Sequence, residues 1–105
     1  MDSLSTIQHD LSKFTSDRGW NQYHTPANLA KAISIEAAEL LENFLWCDAS
    51  RNCEEEIADI IIYCLMFCTI AGIDPIEAIR KKMSINAEKY PISKAKGNCK
   101  KYSEF

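Results

Sequence analysis

Ile57-Ala58-Asp59-Ile60-Ile61-Ile62-Tyr63-Cys64-Leu65-Met66-Phe67-Cys68-Thr69-Ile70-Ala71-Gly72-Ile73 is apolar on almost every side of a helix, interrupted mainly by Asp59, Tyr63 and Thr69. A membrane span needs about 20 apolar residues without charge. Asp59 and the preceding Glu54, Glu55 and Glu56 argue against one. A helix apolar all round is buried all round. Three partner helices can hardly enclose it in a chain of 105 residues. Part of its surface is therefore expected to pack against another copy of the chain. The fold expected is all-α, a four-helix bundle assembled through this apolar third helix.

The flanking sequence supplies the other helices. Leu4, Ile7, Leu11 and Phe14 recur at helical spacing, which predicts a first helix over about 2–17 with Gly19 as its stop. Thr25-Pro26 starts a second, over about 26–46, with Leu29, Ile33, Leu40 and Phe44 as its stripe. Asp48-Ala49-Ser50 reads as a turn, with Ser50 able to cap a third helix over about 51–71. Asp74-Pro75-Ile76-Glu77 is a strong start for a fourth, over about 75–90, with Ile76, Ile79, Met83 and Tyr90 as its buried stripe and Pro91 as its stop. Residues 1–91 are expected to form one helical catalytic domain, and 92–105 a polar, mobile tail.

Composition narrows the function classes. Apolar residues make 47% and charged residues 26%, too apolar for disorder, and three glycines and three prolines leave little turn chemistry for a sheet. The net charge of -3, with no basic block before the last dozen residues, argues against a broad nucleic-acid footprint. Five cysteines, an odd count, follow a polar start without signal-peptide character, so reduced thiols and a cytoplasmic location are expected. Cys64 and Cys68, four apart on the most apolar helix, read as small buried hydrophobes, and Cys47 and Cys53 have no recognised zinc spacing.

The chemistry lies in two acidic pairs. Glu36-Ala37-Ala38-Glu39 sits on the second helix and Glu56-Ile57-Ala58-Asp59 on the third. Spacing of i, i+3 puts both members of a pair on one helical face. Glu36 falls three residues after Ile33 and four before Leu40, inside the apolar stripe. A short connection makes the two helices antiparallel neighbours, so the pairs lie at similar heights. Four carboxylates facing one another near a core cannot all stay ionised. Some are protonated, some pair with Lys or Arg, or cations neutralise them. All-oxygen ligands suit Mg²⁺ or Mn²⁺. A di-iron carboxylate site needs Glu-x-x-His, and neither His9 nor His24 follows a glutamate at that distance.

Lys82, Asn86 and Lys89 recur at i, i+4, i+7 as one polar stripe on the fourth helix. An amide between Met83 and Tyr90 also needs hydrogen-bond partners if buried.

The ordered set Glu36-x-x-Glu39 … Glu56-x-x-Asp59 resembles the signature of the all-α, MazG-like nucleoside triphosphate pyrophosphohydrolases. Arg18-Gly19-Trp20-Asn21-Gln22-Tyr23-His24-Thr25-Pro26-Ala27-Asn28-Leu29 is similar to the segment before the first acidic pair in the dCTP pyrophosphatase subgroup, Trp46 follows that pair as it does there, and Lys82-Met83-Ser84-Ile85-Asn86-Ala87-Glu88-Lys89-Tyr90-Pro91 is similar to its closing segment. Gly19 departs from an acidic residue in that subgroup. The resemblance implies Mg²⁺-dependent hydrolysis of a (deoxy)nucleoside triphosphate to monophosphate and pyrophosphate, with Mn²⁺ able to substitute. It implies dCTP-like or non-canonical substrates, house-cleaning of the nucleotide pool, and a homodimer or homotetramer with sites shared between chains. It gives Glu36, Glu39, Glu56 and Asp59 the metal and the catalysis. With a nucleotide as substrate, the stripe of Lys82, Asn86 and Lys89 could meet phosphate oxygens, Trp20, His24 and Trp46 are candidates for base and sugar contacts, and Tyr90 is equally a core residue or a ribose neighbour. A phosphoribosyl-ATP substrate on the same scaffold, and a non-catalytic oligomerisation module, are the competing readings. Neither nucleic acid nor membrane is an expected partner.

Overall fold

The computed structural model describes residues 3–46 and 53–104. They are all helical, with four principal helices: α1 (Leu4–Asp17), α2 (Pro26–Glu42), α3 (Glu54–Ala71) and α4 (Pro75–Lys89). A short α5 (Ile92–Ala95) and two single 3-10 turns, Asn21–Tyr23 and Tyr102–Glu104, complete them. The chain forms two compact units, Met1–Ile73 and Asp74–Phe105.

Within the first unit α3 is the shared element, and α1 and α2 both pack on it. The starts of α1 and α2 are set by side-chain caps. Ser3 Oγ accepts from the Thr6 amide at 3.1 Å, and Thr25 Oγ1 from the Asn28 amide at 3.2 Å, with Pro26 at the first helical position. Their ends differ. Gly19, at φ 65°, turns the chain so that Gly19 N donates to Ser16 O at 3.1 Å and Trp20 N to Thr15 O at 3.0 Å. This paired bonding closes α1 and sends Trp20 back along it. Gly72, at φ 70°, does the same for α3, where Ile73 N donates to Cys68 O at 2.9 Å.

α2 stops at Glu42, not at Trp46. Beyond it Asn43 N donates to Leu40 O and Phe44 N to Leu41 O, at 3.2 and 3.0 Å. These are i→i−3 bonds, so the last turn tightens and leaves the α geometry. Trp46 is then 95% exposed. The expected turn at Asp48-Ala49-Ser50, the Ser50 cap, Cys47 and the first residues of the expected third helix lie outside the described residues. α3 begins at Glu54, and its N-cap, Cys53, makes no side-chain capping bond. Three glutamates in its first turn suit the positive helix end.

The core of the single chain is small. Leu29, at 1% exposure, is its one fully buried large side chain among the described residues, with Leu65, Met66 and Thr15 also buried. Ile61 is 50% exposed, and Ile35 and Leu41 are 59% each. The apolar third helix is thus only partly covered by its own chain. No single helix among the described residues is long and apolar enough to cross a membrane.

In the second unit, Asp74 Oδ1 accepts from the amides of Ile76 and Glu77 at 3.0 and 3.2 Å, so the predicted start of α4 forms. Its expected buried stripe does not: Ile76, Ile79, Met83 and Tyr90 are all exposed in the single chain. The helix carries too few apolar residues per turn to make a core within so short a unit.

Candidate functional site

The two acidic pairs come together in the first unit, where α2 packs on α3. Glu36 lies near the end of α2, and Glu56 and Asp59 near the beginning of α3. Antiparallel packing across a short connection brings such positions to one level. Glu36 feels the charge of Glu39, Asp59 and Glu56, and its carboxyl hydrogen-bonds Glu39. Its pKa is raised above the ordinary carboxylate value. The causes, in order, are removal from water, the hydrogen bond to Glu39, and repulsion by Glu39, Asp59 and Glu56.

Two oxygens at this junction have no protein partner. Glu36 Oε2 and Glu56 Oε2 are both buried and unbonded. A buried carboxylate oxygen without a donor is costly. No lysine or arginine answers them: among the described residues the one salt bridge is Lys13–Asp17, at 3.1 Å on α1. Of the three ways to neutralise the four acids, proton uptake is favoured at Glu36 by its raised pKa, pairing with Lys or Arg is absent from the described salt bridges, and an external cation remains open. The donor set is all oxygen, which suits a hard divalent ion. Among the described residues no three of these side chains converge closely enough to enclose an ion by themselves.

Beside the acids lies a cavity of about 370 Å³. Asp59 stands at its polar edge, and Leu11, Phe14, Thr15, Trp20, His24, Ile62, Tyr63 and Met66 line the rest. The α1 cap described above builds one wall. The Trp20 ring meets Phe14 edge-on at 5.9 Å and His24 at 6.5 Å, and the Arg18 guanidinium covers the outer face of Phe14 at 3.5 Å. His24 is half-buried and its Nδ1 is buried without a hydrogen-bond partner. Thr15 donates its hydroxyl to Ser12 O at 3.1 Å, which leaves its oxygen lone pairs open. A second cavity of about 320 Å³ shares Thr15, His24 and Met66 with the first and adds Ser12, Asn21, Thr69 and Ile70. An aromatic slot with a free imidazole nitrogen, next to a cluster of acids, is suited to a flat polar ring carrying a charged group.

The predicted site residues thus divide. Glu36, Glu39, Glu56 and Asp59 share one junction, and Trp20 and His24 share the cavity that Asp59 borders. Trp46 projects from the turn after α2, away from any described cavity. Lys82, Asn86, Lys89 and Tyr90 belong to the second unit. There the Lys89 ammonium lies 4.8 Å from the centre of the Tyr102 ring, and Tyr90 meets that ring edge-on at 6.0 Å. The Asn86 side chain is exposed, contrary to the burial expected of it. Phe14, Thr15 and Tyr63 line the cavity without having been singled out. The signal for Thr15 was its place four residues after Leu11, a hydroxyl on an apolar stripe.

Comparison with known proteins bears on this geometry. A family model described as MazG-like matches residues 31–105. The chain is 31% identical over 115 aligned positions to dCTP pyrophosphatase 1 of Homo sapiens, covering 98% of this chain and 68% of that protein. It is 30% identical to the Rattus norvegicus protein of the same name, with the same coverage. A crystal structure of a pyrophosphatase from Archaeoglobus fulgidus matches with a TM-score of 0.80 at 46% identity, over 87% of this chain and 94% of that one.

Proposed function

Since this chain belongs to the MazG-like family and is a nucleoside triphosphate pyrophosphohydrolase, we propose that it hydrolyses dCTP-like or non-canonical deoxynucleoside triphosphates with Mg²⁺, at the junction of α2 and α3. One observation carries the reading: two buried, unpartnered carboxylate oxygens, Glu36 Oε2 and Glu56 Oε2, in a cluster of four acids beside an aromatic cavity.

Glu36, Glu39, Glu56 and Asp59 would hold the metal, Mn²⁺ being able to replace Mg²⁺ on the same oxygens. Bound there, a divalent ion screens phosphate charge and acidifies water. The rest is the work of the chain. Trp20 and His24 receive the base in the cavity, the indole by ring contact and His24 Nδ1 by a hydrogen bond it otherwise lacks. Water adds to one phosphorus of the α–β anhydride and the bond to the bridging oxygen breaks. A monophosphate and a pyrophosphate result. Glu39, one turn along α2 from Glu36, takes the proton of the attacking water. Lys82, Asn86 and Lys89 are assigned to phosphate oxygens on their charge and spacing. Tyr90 and Trp46 are assigned to the nucleoside on resemblance alone.

The exposed Ile35, Leu41, Ile57, Ile61 and Ile70 on α2 and α3 support a homodimer or homotetramer. A house-cleaning role in the cytoplasm is consistent with the free thiols of Cys64, Cys68 and Cys99.

The test is a product assay. Purified protein is incubated with a panel of ribo- and deoxynucleoside triphosphates, with Mg²⁺ or with chelator. Metal-dependent monophosphate plus pyrophosphate, fastest with a cytosine deoxynucleotide or a modified base, is expected. Diphosphate plus phosphate would overturn the cleavage site. Turnover of phosphoribosyl-ATP alone would transfer the reading to that substrate.

A further inference from the structure

Within 92–105, the expected polar tail, side chains build a small folded element. Asn98 Nδ2 donates to Lys94 O at 2.7 Å, and Asn98 Oδ1 accepts from Lys100 N at 3.0 Å. Glu104 Oε2 accepts from Lys101 N at 3.2 Å, while Glu104 N donates to Lys101 O at 2.8 Å. Tyr102 then seats on α4, edge-on to Tyr90 and under the Lys89 ammonium. The staple fixes Lys100 and Lys101, the two residues before Tyr102, on the same unit as Lys82 and Lys89.

Charge sharpens the point. Residues 74–105 hold eight of the twelve Lys and Arg against four of the fifteen Asp and Glu. The second unit is therefore strongly cationic in a chain of net charge -3. No salt bridge among the described residues satisfies any of these lysines. Like charges gathered on one small element repel, and a polyanion relieves that repulsion. An ammonium has three N–H donors, so one turned to a ring face leaves others free to donate to phosphate oxygens.

We propose that Lys94–Glu104 is a phosphate-binding arm, in which Tyr102 positions Lys89 while Lys100 and Lys101 add direct contacts, and that its ligand is free pyrophosphate, the anion the proposed reaction releases. Tyr102 is a positioning residue here, and the lysines touch the ligand. The proposal rests on the assignment of Lys89 to phosphate made above.

Inorganic pyrophosphate is the probe, titrated calorimetrically into the full chain in magnesium buffer, alongside triphosphate hydrolysis. K100A/K101A should weaken pyrophosphate about tenfold or more, as expected for lost charge-assisted bonds, and make pyrophosphate a correspondingly weaker inhibitor of triphosphate hydrolysis. Tyr102→Ala should weaken it in the same sense, and Tyr102→Phe, which keeps the ring, should restore it. K13A/K31A, removing equal charge from the first unit, should change neither quantity. Unchanged pyrophosphate affinity in K100A/K101A, in a protein that still cleaves triphosphates, would overturn the arm and leave the function standing. An equal loss in K13A/K31A would overturn it too, as a general charge effect. A wild-type chain that binds pyrophosphate through these lysines but releases none from any nucleotide would instead overturn the function and leave the arm.

Discussion

Residues 1–73 carry four Lys and Arg against eleven Asp and Glu, while residues 74–105 carry eight against four. The first unit gathers its acids where helices pack, and leaves two of their oxygens buried without partners. The second has no buried residue among those described and, half-buried Lys89 apart, keeps its cations exposed on a helix and a stapled arm. The difference teaches where each kind of charge can be kept. Carboxylates drawn partly out of water, as Glu36 and Glu56 are beside exposed Glu39 and Asp59, resist coexistence and favour an external cation. Exposed ammoniums coexist cheaply in water and stay ready for an anion. Under the proposed function, the first unit supplies the metal's oxygens and the second the cations for phosphate.

The sharpest way to break this contrast is to remove an acid. Glu39→Gln keeps shape and hydrogen-bonding capacity but loses charge and basicity. Turnover should fall about 10²- to 10⁴-fold, the range for a lost acid–base group. Binding of pyrophosphate to the second unit should persist. Metal titration and product release measured on the same preparation check both. Undiminished turnover in Glu39→Gln would remove that residue from the mechanism.

Leu29→Ala tests the other property of the first unit, its small core. Leu29 is the most deeply buried large side chain among the described residues. Its truncation should cost about 2–5 kcal/mol, read as a lower urea midpoint. Asp74→Ala is the counterpart in the second unit. It removes the acceptor for the Ile76 and Glu77 amides, and about 1 kcal/mol is expected from a lost cap. Equal effects of the two would mean that the second unit has more of a core than its exposure suggests.

Helix starts were legible because they depend on residues in contact along the chain. Thr25 and Asp74 cap as their residue types predict, while Ser3, which falls inside the first helix as expected from sequence, is its cap in the structure. The four acids were legible for a similar reason, since i, i+3 spacing fixes a shared face before any partner is known. What was not legible depends on distant contacts. The Trp20–Phe14 wall needs the αL turn at Gly19 to fold it back. The end of α2 was overestimated because Phe44 continues the apolar stripe while the backbone has already tightened into i→i−3 bonds. The Tyr102 staple joins residues on separate elements, and a polar, basic composition gives no hint of it.

The finest prediction concerns the cost of gathering acids. Glu36 binds its proton more tightly in the folded chain than its ordinary value, through burial, the bond to Glu39 and repulsion by the other acids. The folded state therefore holds a proton that the unfolded state releases at a lower pH. Stability from this source is full below the unfolded carboxylate value and is lost as pH rises through the raised folded value. Without divalent cation, the wild-type chain should lose stability as pH climbs out of the ordinary carboxylate range. Glu36→Gln, which has no proton to lose, should lack that component and melt higher at neutral pH. Added Mg²⁺ should narrow the gap, because it stabilises the ionised cluster that only the wild type has intact. Thermal melts at a series of pH values, with and without Mg²⁺, measure all three. A wild-type melting curve parallel to that of Glu36→Gln at every pH would mean that the junction is wetter than its unpartnered oxygens indicate, and the contrast between acids gathered at a helix junction and exposed bases would lose its physical ground.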